Sequence, residues 1–471
     1  MPKKYHIKST PAAPLFIPVG RSGIIDWEED CLKCTTCVKK RCRFDVYKNR
    51  AYDAKTMVDS IDHQCKNCFS CIQNCPRGVL SKTINPEFLR MGDAYWKPDV
   101  IHGTWFQAET GKIPVSGAGY RGPFSGPGFD AMWTDMSEIV RPTRDGIHGR
   151  EYISTGIDLG RKQHHLEFDA DGKLTNEMFP LVEIPLPVIF NVLPFGNLGE
   201  GVTLSMAETA RQIGTLMYVT PGTYGSFLKP YKAQLIPLLT TEEVNPYADI
   251  LEGVKMAEIF HSPDVLKQIR QLKRRFPRLV VSVRLPMNPD AKTIAADLAA
   301  AGVEILHLFA DYHGNEFVEG DDYRFVKDAL RDIHCHLVDK SVRDEVTLIV
   351  SGGIALAEHL PKIIICGADG ASIDLPLLIA AECRVCKRCV SGKSCPVELQ
   401  HLDPGHGSQR MVNLMCSWWS QLIELMGAMG IRDVRRVRGE TGRAMFFEDL
   451  ERETFGALFG KRKTASVDVK P

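Results

Sequence analysis

The chain has 471 residues, of which 44% are hydrophobic and 25% are charged, a composition typical of globular proteins and unlike that of disordered chains. Lys and Arg number 58, as do Asp and Glu, so no overall field attracts nucleic acid or anionic lipid. No apolar run is long enough for a transmembrane helix or a secretory signal. We therefore expect a cytoplasmic protein of at least two domains.

The 15 cysteines carry the strongest signal. Cytoplasmic thiols stay reduced, so metal or redox chemistry is a better interpretation than disulfide bonds. Twelve cysteines form three quartets: Cys31, Cys34, Cys37 and Cys42; Cys65, Cys68, Cys71 and Cys75; and Cys383, Cys386, Cys389 and Cys395. Each begins C-x-x-C-x-x-C, and three thiolates on one tight loop suit three corners of an iron-sulfur cube. Zinc, which usually takes two separated C-x-x-C pairs, is the weaker alternative.

The first two quartets resemble the two-cluster bacterial ferredoxins, in which each run gives its fourth ligand to the other cluster. This pattern assigns one 4Fe-4S cluster to Cys31, Cys34, Cys37 and Cys75 and the other to Cys65, Cys68, Cys71 and Cys42. The second run matches fully, including Pro76, whereas in the first run four residues separate Cys37 from Cys42 and Arg43 replaces the usual proline. Residues 26–90 are therefore predicted to be a ferredoxin-like α+β domain.

Residues 91–180 are rich in Gly, Pro, Trp and Asp and are predicted to be an irregular wrapping segment. Beyond them, short apolar runs alternate with helical stretches, which is typical of parallel strands with crossover helices. The predicted strands are 187–193, 215–220, 234–239, 248–256, 278–285, 303–309, 346–353 and 367–375. They favour a (β/α)8 barrel over 181–382, with a doubly wound open sheet as the alternative. A cysteine loop (383–396), a helical segment (397–460) and a basic tail (461–471) follow.

Barrels of this class often bind a phosphate in the loops after the seventh and eighth strands. The candidate residues are Ser351, Gly352 and Gly353 after strand seven and Gly370, Ala371 and Ser372 at strand eight. Glycines in these loops let the backbone approach the phosphate oxygens, because no Cβ stands in the way. The sequence therefore predicts a phosphate site at this end of the barrel.

Roughly residues 130–450 resemble the FMN-binding domain of glutamate synthase. PVIFNVLPFGNLGEGVTLSMAETARQIG is similar to the first strand and helix of the family, and SPDVLKQIRQLKRRFPRLVVSVRL is similar to its helix and fifth strand, with Arg284 in place of a lysine. VTLIVSGG and GADGASIDLPLLIAAEC are similar to its two phosphate loops. RPTRDGIHGREYIS, at 141–154, resembles the stretch that precedes the barrel in shorter prokaryotic members.

The resemblance implies an FMN with an iron-sulfur cluster packed beside it. It implies that Gly196 and Thr220 border the isoalloxazine ring, in a site that includes Pro194 and Phe195. Arg284 would lie near the N1/O2 edge, where the charge of reduced flavin develops, and an ion pair without a cofactor role is the alternative. The third quartet departs from the 3Fe-4S spacing of the family, so we predict a complete 4Fe-4S cluster, with 3Fe-4S as the alternative.

Two features of glutamate synthase are missing. The chain has no amidotransferase domain, and the glycine-rich segments that bind 2-oxoglutarate after strands four and six are replaced by VKMAEIFHSPDVL and ADYHGNEFVEG. Lys255 and His313 remain as polar candidates, and no catalytic acid or base is assigned.

We therefore expect an iron-sulfur flavoprotein oxidoreductase that passes electrons between 4Fe-4S clusters and FMN, with ferredoxin or as a subunit of a larger redox complex. The alternative is the large subunit of a ferredoxin-dependent glutamate synthase that takes ammonia from a separate glutaminase chain. A third alternative, a non-enzymatic protein whose cysteines bind structural zinc, does not explain the flavin loops.

Overall fold

The structure is a computed structural model that describes residues 7–27, 31–53, 60–114, 128–134, 153–163, 165–176, 178–196, 198–244, 250–320 and 323–460. Most of the stretch 141–154 and the predicted basic tail 461–471 lie outside these residues. Within the described part of the chain, no helix is long and apolar enough to cross a membrane.

The N-terminal region consists mainly of loops around the first eight cysteines. Strand β1 (Ser22–Trp27) pairs antiparallel with β2 (Leu80–Ile84), and the short helices α1 (Ser70–Gln73) and α2 (Pro86–Leu89) lie near them in sequence. A small group of buried side chains holds the loops together: Cys37, Val38, Val46, Tyr47, Cys71 and Leu80. The region therefore has a core of its own, built partly from cysteines.

Helix α3 (Pro98–Thr110) lies within the segment that the sequence predicts to be irregular. It has Pro98 in its first turn and ends at Gly111 with φ +67°, both common at helix ends. Its buried face mixes Ile101 and Trp105 with the polar Gln107, which donates to Ser417 over 3.1 Å. Because polar residues interrupt the apolar stripe, the helical period is weak in the sequence.

Three short strands flank the barrel in sequence: β3 (Met132–Thr134), β4 (Ile157–Leu159) and β5 (Val182–Ile184). The pair β4–β5 is antiparallel. It lies against the amino ends of the barrel strands, since the Thr347 hydroxyl, where one strand begins, donates to the Gly160 carbonyl over 2.7 Å. This hairpin therefore covers the bottom of the barrel.

Eight parallel strands close into a barrel, which confirms the predicted (β/α)8 fold over the open sheet. The strands are β6 (Val188–Phe190), β7 (Met217–Val219), β8 (Leu235–Leu239), β9 (Met256–Phe260), β10 (Val280–Pro286), β11 (Ile305–Phe309), β12 (Thr347–Ser351) and β13 (Gly370–Ile373). The helices around them are α4 (Glu200–Ile213), α5 (Val265–Arg275), α6 (Ala291–Ala300), α7 (Val326–Asp339), α8 (His359–Ile365) and α9 (Leu375–Ala380). We call the rim formed by the carboxyl ends of the strands the mouth.

The fourth strand does not lie where the sequence predicts it. The predicted strand was 248–256, and the observed one is Met256–Phe260, because Glu258 interrupts the apolar run and hides it. Lys255 therefore precedes the strand, at the end of the barrel opposite the mouth. Since ligands of such barrels bind at the mouth, Lys255 is no longer a candidate for the site.

The C-terminal region wraps back over the rest of the chain. Helix α10 (Pro404–Ala428) packs against α4 and α3, and β14 (Ala444–Phe446) pairs with β3 before the short helices α11 (Phe447–Leu450) and α12 (Gly456–Phe459). Shorter helical turns are Thr36–Arg41, Lys48–Arg50, Asp62–Gln64, Gly128–Ala131, Ser226–Gln234, Leu399–His401, Val434–Arg436, Thr441–Arg443 and Glu451–Phe455.

The first described residues form a strap along α10. The Asn413 side-chain oxygen accepts a hydrogen bond from the Thr10 N–H over 3.1 Å, and its side-chain nitrogen donates to the Thr10 carbonyl over 2.8 Å. Further along, the Glu382 carboxylate accepts from the N–H groups of Leu15 and Phe16, each over 2.9 Å. The strap, residues 10–18, therefore reaches the residue that precedes the third cysteine quartet.

Candidate functional site

The three cysteine loops share one unusual backbone conformation. In each, the residue before the second cysteine and the residue after it have positive φ: 55° and 57° at Lys33 and Thr35, 53° and 56° at Asn67 and Phe69, and 52° and 54° at Val385 and Lys387. Positive φ is unfavourable for non-glycine residues and most so for β-branched ones such as Val385. A costly conformation at matching positions indicates that the three loops hold the same kind of group.

The first loop lines a cavity together with the residues that follow Cys75. The cysteines that line this cavity are Cys31, Cys34, Cys37 and Cys75, the set that the ferredoxin pattern predicts, with its fourth ligand from the other quartet. In the second predicted set, Cys71 is buried, Cys42 and Cys65 pack against the same small core, and Cys68 is exposed. Among the described residues, no three Cys, His, Asp or Glu side chains converge as ligands of one metal ion.

The third loop faces the barrel. Its four cysteines, Cys383, Cys386, Cys389 and Cys395, line a cavity that Phe195 and Gly196 also line. Phe195 and Gly196 follow the first barrel strand, in the loop that the resemblance assigns to the flavin. Burial raises the pKa of the Cys383 thiol to about 12, so its thiolate needs a positive charge beside it. The cavity and its four sulfurs fit an iron-sulfur cluster.

A charged network fastens the third loop to the barrel. Lys387 donates to Asp93 over 2.9 Å and to the Tyr312 hydroxyl over 2.6 Å, and His313 Nε2 lies 2.9 Å from the same Asp93 carboxylate. Burial would raise the pKa of Asp93, but the bonds to His313, Trp96 and Lys387 outweigh it and hold the pKa far below its usual value. His313, a polar candidate from the sequence, is therefore engaged with Asp93 through Nε2.

The loop after β12 is packed closely against the loop after β11. Gly352 and Gly353 have φ of +106° and +68°. A Cβ at Gly352 would lie 2.5 Å from the carbonyl oxygen of Asp311, and one at Gly353 would lie 2.8 Å from the Cα of Gly314. Both glycines are thus required by the approach of two loops at the mouth, where a phosphate was predicted.

Gly370, Ala371 and Ser372 lie within strand β13, inside the predicted eighth strand, rather than in the loop that follows it. The strand needs a small residue at Gly370, because a Cβ there would lie 2.7 Å from Ile157 Cδ1 of the bottom hairpin. Ser372 pairs with Ser351 near the mouth. Its buried hydroxyl has no hydrogen-bond partner among the described residues, and this free polar atom fits a phosphate.

The barrel interior holds a polar network centred on the fully buried Glu258 of β9. Its carboxylate lies 2.9 Å from His307 Nδ1, and it accepts from the Ser282 hydroxyl over 2.8 Å and from Arg284 Nη1 over 3.3 Å. Burial would raise the pKa of Glu258, but His307, Arg284 and Ser282 outweigh burial and hold the pKa below its usual value. Glu258 is therefore ionised at neutral pH.

His307 connects Glu258 to the end of β12. Burial lowers the pKa of His307, so the ring is neutral at neutral pH. A neutral ring that donates from Nδ1 to Glu258 must accept at Nε2, which lies 2.9 Å from the Ser351 hydroxyl. The Ser351 hydroxyl hydrogen is thereby committed to His307, and its side chain is not free to donate to a phosphate.

Arg284 lies just below the mouth, in a ring of aromatic side chains. Its guanidinium carbon lies 5.7, 5.7 and 5.1 Å from the ring centres of Tyr218, Phe260 and Phe309. Nη2 donates to Asn191 over 3.0 Å, and the residue is 8% exposed. The sequence identified Arg284 but missed Glu258 and His307, although MAEIF and ILHLF each place one titratable residue inside an apolar strand.

The remaining predicted flavin residues also lie at the mouth. Pro194, Phe195 and Gly196 follow β6, and the Phe195 ring meets the Tyr312 ring edge to face at 6.1 Å. Thr220 follows β7, and its N–H donates to the Thr223 hydroxyl over 3.0 Å. The structure therefore brings these residues, Arg284, Ser372 and the third cysteine loop to the same end of the barrel.

Comparison with known proteins shows similarity to glutamate synthases. Residues 223–432 match the model of the conserved region in glutamate synthase. The archaeal-type glutamate synthase [NADPH] of Dehalococcoides mccartyi is 25% identical, over 88% of this chain and 93% of that protein. The archaeal glutamate synthase [NADPH] of Archaeoglobus fulgidus is 24% identical, over 91% and 95%.

Among solved structures, mandelate oxidase with a monooxide FMN adduct aligns at a TM-score of 0.40 and 15% identity, covering 75% of this chain and 93% of that chain. This similarity is too low to support a functional comparison. The sequence matches, by contrast, cover 88% and 91% of this chain. They show that the chain is similar to archaeal-type glutamate synthases, that residues 223–432, from after β7 to just beyond α10, match the conserved region of glutamate synthase, and that the cysteine-rich N-terminal region fits an iron-sulfur domain.

Proposed function

We propose that the chain is an FMN- and iron-sulfur-dependent oxidoreductase that passes electrons between three 4Fe-4S clusters and FMN. The observation that carries this proposal is the third cysteine loop, whose four sulfurs share a cavity with Phe195 and Gly196 at the mouth. A redox cluster in that cavity would adjoin a flavin over the barrel. FMN supplies a centre that exchanges electrons singly or in pairs, and the clusters supply single electrons.

The chain's own residues then have distinct tasks. Gly196 and Thr220 border the ring, the Ser372 hydroxyl binds the phosphate with the backbone at Gly352 and Gly353, and Arg284 lies under the N1/O2 edge. In β13, Gly370 packs against Ile157, and the Ala371 N–H donates to the Pro187 carbonyl over 2.9 Å. The ion pair of Asp93 and Lys387, which we call the clasp, holds the third cluster in place.

The surroundings of the cysteine loops support an order of electron flow from the N-terminal clusters to the barrel. Lys66 of the second loop lies over the Phe106 ring of α3 at 5.3 Å. The neighbouring Trp105 lines a cavity with Arg384 of the third loop. Helix α3 therefore lies between the second and third loops, which leaves the first loop as the outer one.

The exposed side of the first loop supports an acidic electron carrier, such as a ferredoxin, as the partner. Cys34 is exposed there, as are the basic residues Lys33, Lys39, Lys40 and Arg41. Opposite charge speeds the docking of an acidic protein. The reduced state of twelve cysteines favours work in the cytoplasm.

Anaerobic purification tests the cofactor content. We expect on the order of 12 irons and 12 sulfides per chain, with about one FMN. Stoichiometric zinc with little iron would refute the clusters, and a flavin-free protein that cannot be reconstituted would refute FMN.

Rapid mixing with a reduced carrier tests the electron path. Cys386→Ser is expected to retain FMN and about 8 irons but to lose fast flavin reduction, whereas Cys335→Ser, at an exposed cysteine outside the quartets, behaves as wild type. Equal rates in both variants would contradict a path through the third cluster.

Glutamate synthesis is the second candidate, and it is favoured by relatives that align over nearly the whole chain. Against it, the loop after β9, His261–Asp264, contains no glycine. In the loop after β11, Gly314 is fully packed, since a Cβ there would lie 2.6 Å from Phe325. Neither loop presents the glycine-rich backbone that would bind a dicarboxylate.

An assay with reduced ferredoxin, 2-oxoglutarate and ammonium, with or without a glutaminase subunit, decides between the two. We expect reduction of the flavin with little glutamate. Sustained, ferredoxin-dependent glutamate formation at about 1 per second or faster would establish the second candidate.

A further inference from the structure

Arg284 is not a free cation under the mouth. Its two terminal nitrogens are both engaged, Nη1 by the Glu258 carboxylate at 3.3 Å and Nη2 by the Asn191 side chain at 3.0 Å. The three aromatic rings around the guanidinium exclude water from its faces. The orientation and the electrostatic effect of Arg284 are therefore set by its partners.

We propose that Glu258 is a positioning residue that holds Arg284 and neutralises its charge beneath the flavin, and so keeps the reduction potential of the FMN low. The inference rests on the proposed FMN site. An unpaired cation near N1 stabilises reduced flavin, which carries negative charge there, and raises its potential. A carboxylate bonded to that cation cancels much of the effect.

The ion pair of Glu258 and Arg284 has a strong electrostatic effect because both side chains are buried. Glu258 has no exposed surface and Arg284 has 8%, so water screens their charges poorly. His307 is neutral and adds no compensating charge. The other titratable groups near Arg284 are Tyr218, which burial keeps protonated, and Asp374, whose pKa burial raises to about 6.

Asp374 also serves as the cap of α9, because its carboxylate accepts from the N–H of Leu375 over 2.6 Å. Glu258 is the carboxylate with a direct hydrogen bond to Arg284. Removal of the Glu258 charge therefore changes the field at the mouth most, while the Arg284 cation stays in place.

Sulfite provides a direct probe of the charge beneath the flavin. The sulfur lone pair of sulfite forms a bond to N5 of oxidised flavin, so the reaction needs no outside oxidant. The adduct carries negative charge toward N1. A cation near N1 strengthens the adduct. In the FMN-loaded protein, Glu258→Gln is expected to lower the sulfite Kd by about tenfold. The same change corresponds to a rise of about 30 mV for a two-electron couple, read by spectroelectrochemistry.

Two variants serve as controls. Glu304→Gln removes a buried carboxylate at the opposite end of the barrel, where it bonds Lys273 and the N–H of Val281, and is expected to leave sulfite affinity unchanged. Ser282→Ala removes a hydrogen bond to Glu258 but keeps both charges, and is expected to shift the Kd by less than about threefold.

Arg284→Gln keeps the proposal testable if Glu258→Gln does not fold. Arg284→Gln is expected to weaken sulfite binding by about tenfold, and the double variant Arg284→Gln with Glu258→Gln, in which both charges are gone, returns toward wild type. A Glu258→Gln protein that binds FMN but keeps the wild-type sulfite affinity and potential would overturn the proposal, as would a double variant no different from Arg284→Gln. Failure of the wild-type protein to bind FMN would refute the proposed function instead.

Discussion

The first and third cysteine loops share a backbone conformation but have different surroundings. Both have positive φ around their second cysteine. In the first loop that cysteine, Cys34, is exposed among basic side chains, whereas the third loop begins with the buried Cys383 and is fastened by Asp93 and the strap. On the proposed assignment, the need to hold a cluster accounts for the shared backbone of the loops, and the deeper burial of the third loop accords with its place beside the flavin.

The difference extends to what stabilises each loop. The third loop is anchored in the main core, through Val385 and Val397. The first two loops share a small core in which cysteines take the place of apolar residues. We expect a region with so few buried apolar side chains to depend on the proposed clusters for its folding.

Removal of iron tests this comparison with the largest expected effect. In protein stripped of iron under reducing conditions, residues 31–90 should unfold and be cleaved by protease on the order of 100-fold faster, because the small core cannot compensate for lost thiolate bonds. The barrel should resist, as judged by mass spectrometry of the fragments. Uniform cleavage over both regions would contradict separate stabilisation.

The phosphate site can be tested by one charge at Ser372. Ser372→Asp places a carboxylate against the FMN phosphate, while Ser372→Asn has nearly the same shape without the charge. We expect the Asp variant to bind FMN about tenfold or more weakly than the Asn variant, measured by flavin fluorescence on reconstitution. Equal affinities would place the phosphate elsewhere.

The clasp on the third loop should respond to pH. Because the pKa of folded Asp93 is depressed, its stabilisation is present above the unfolded pKa of about 4 and is lost as the pH falls below it. Asp93→Asn should lower the free energy of unfolding by roughly 1–3 kcal/mol at pH 7. The difference from wild type should shrink toward pH 3, and thermal melts across this range measure it. A difference that does not depend on pH would argue against an ionic clasp.

The smallest expected effect concerns docking. Lys39→Glu with Lys40→Glu should slow reduction by an acidic carrier about three- to tenfold at low salt, with less effect at high salt. Lys267→Glu with Arg270→Glu, on exposed positions of α5, is the matched control. If both pairs have the same effect, the carrier does not dock at the first loop.

Local patterns allowed much of this structure to be predicted. The cysteine spacing predicted which four cysteines come together around the first cavity, and seven barrel strands lie where their apolar runs predicted them. Helix α3 and strand β9 were hidden because polar residues such as Gln107 and Glu258 have partners far away in sequence. The orientation of Arg284 depends likewise on Glu258 in β9 and on Asn191, the residue after β6, and no local pattern encodes it.

The strap has a consequence for how the protein is made. Asn413 binds Thr10, and Glu382 binds Leu15 and Phe16, so the strap cannot take its place until residues at least 366 positions further along the chain have left the ribosome. Domains generally fold as units during synthesis, beginning at the N-terminus. The first two cysteine loops can therefore fold, and on our proposal take up iron, while translation continues, whereas the strap cannot cover the third quartet until Glu382 and Asn413 have been made. We expect ribosome-bound chains that end before residue 400 to protect the first two cysteine loops from alkylation and to leave the strap open to protease.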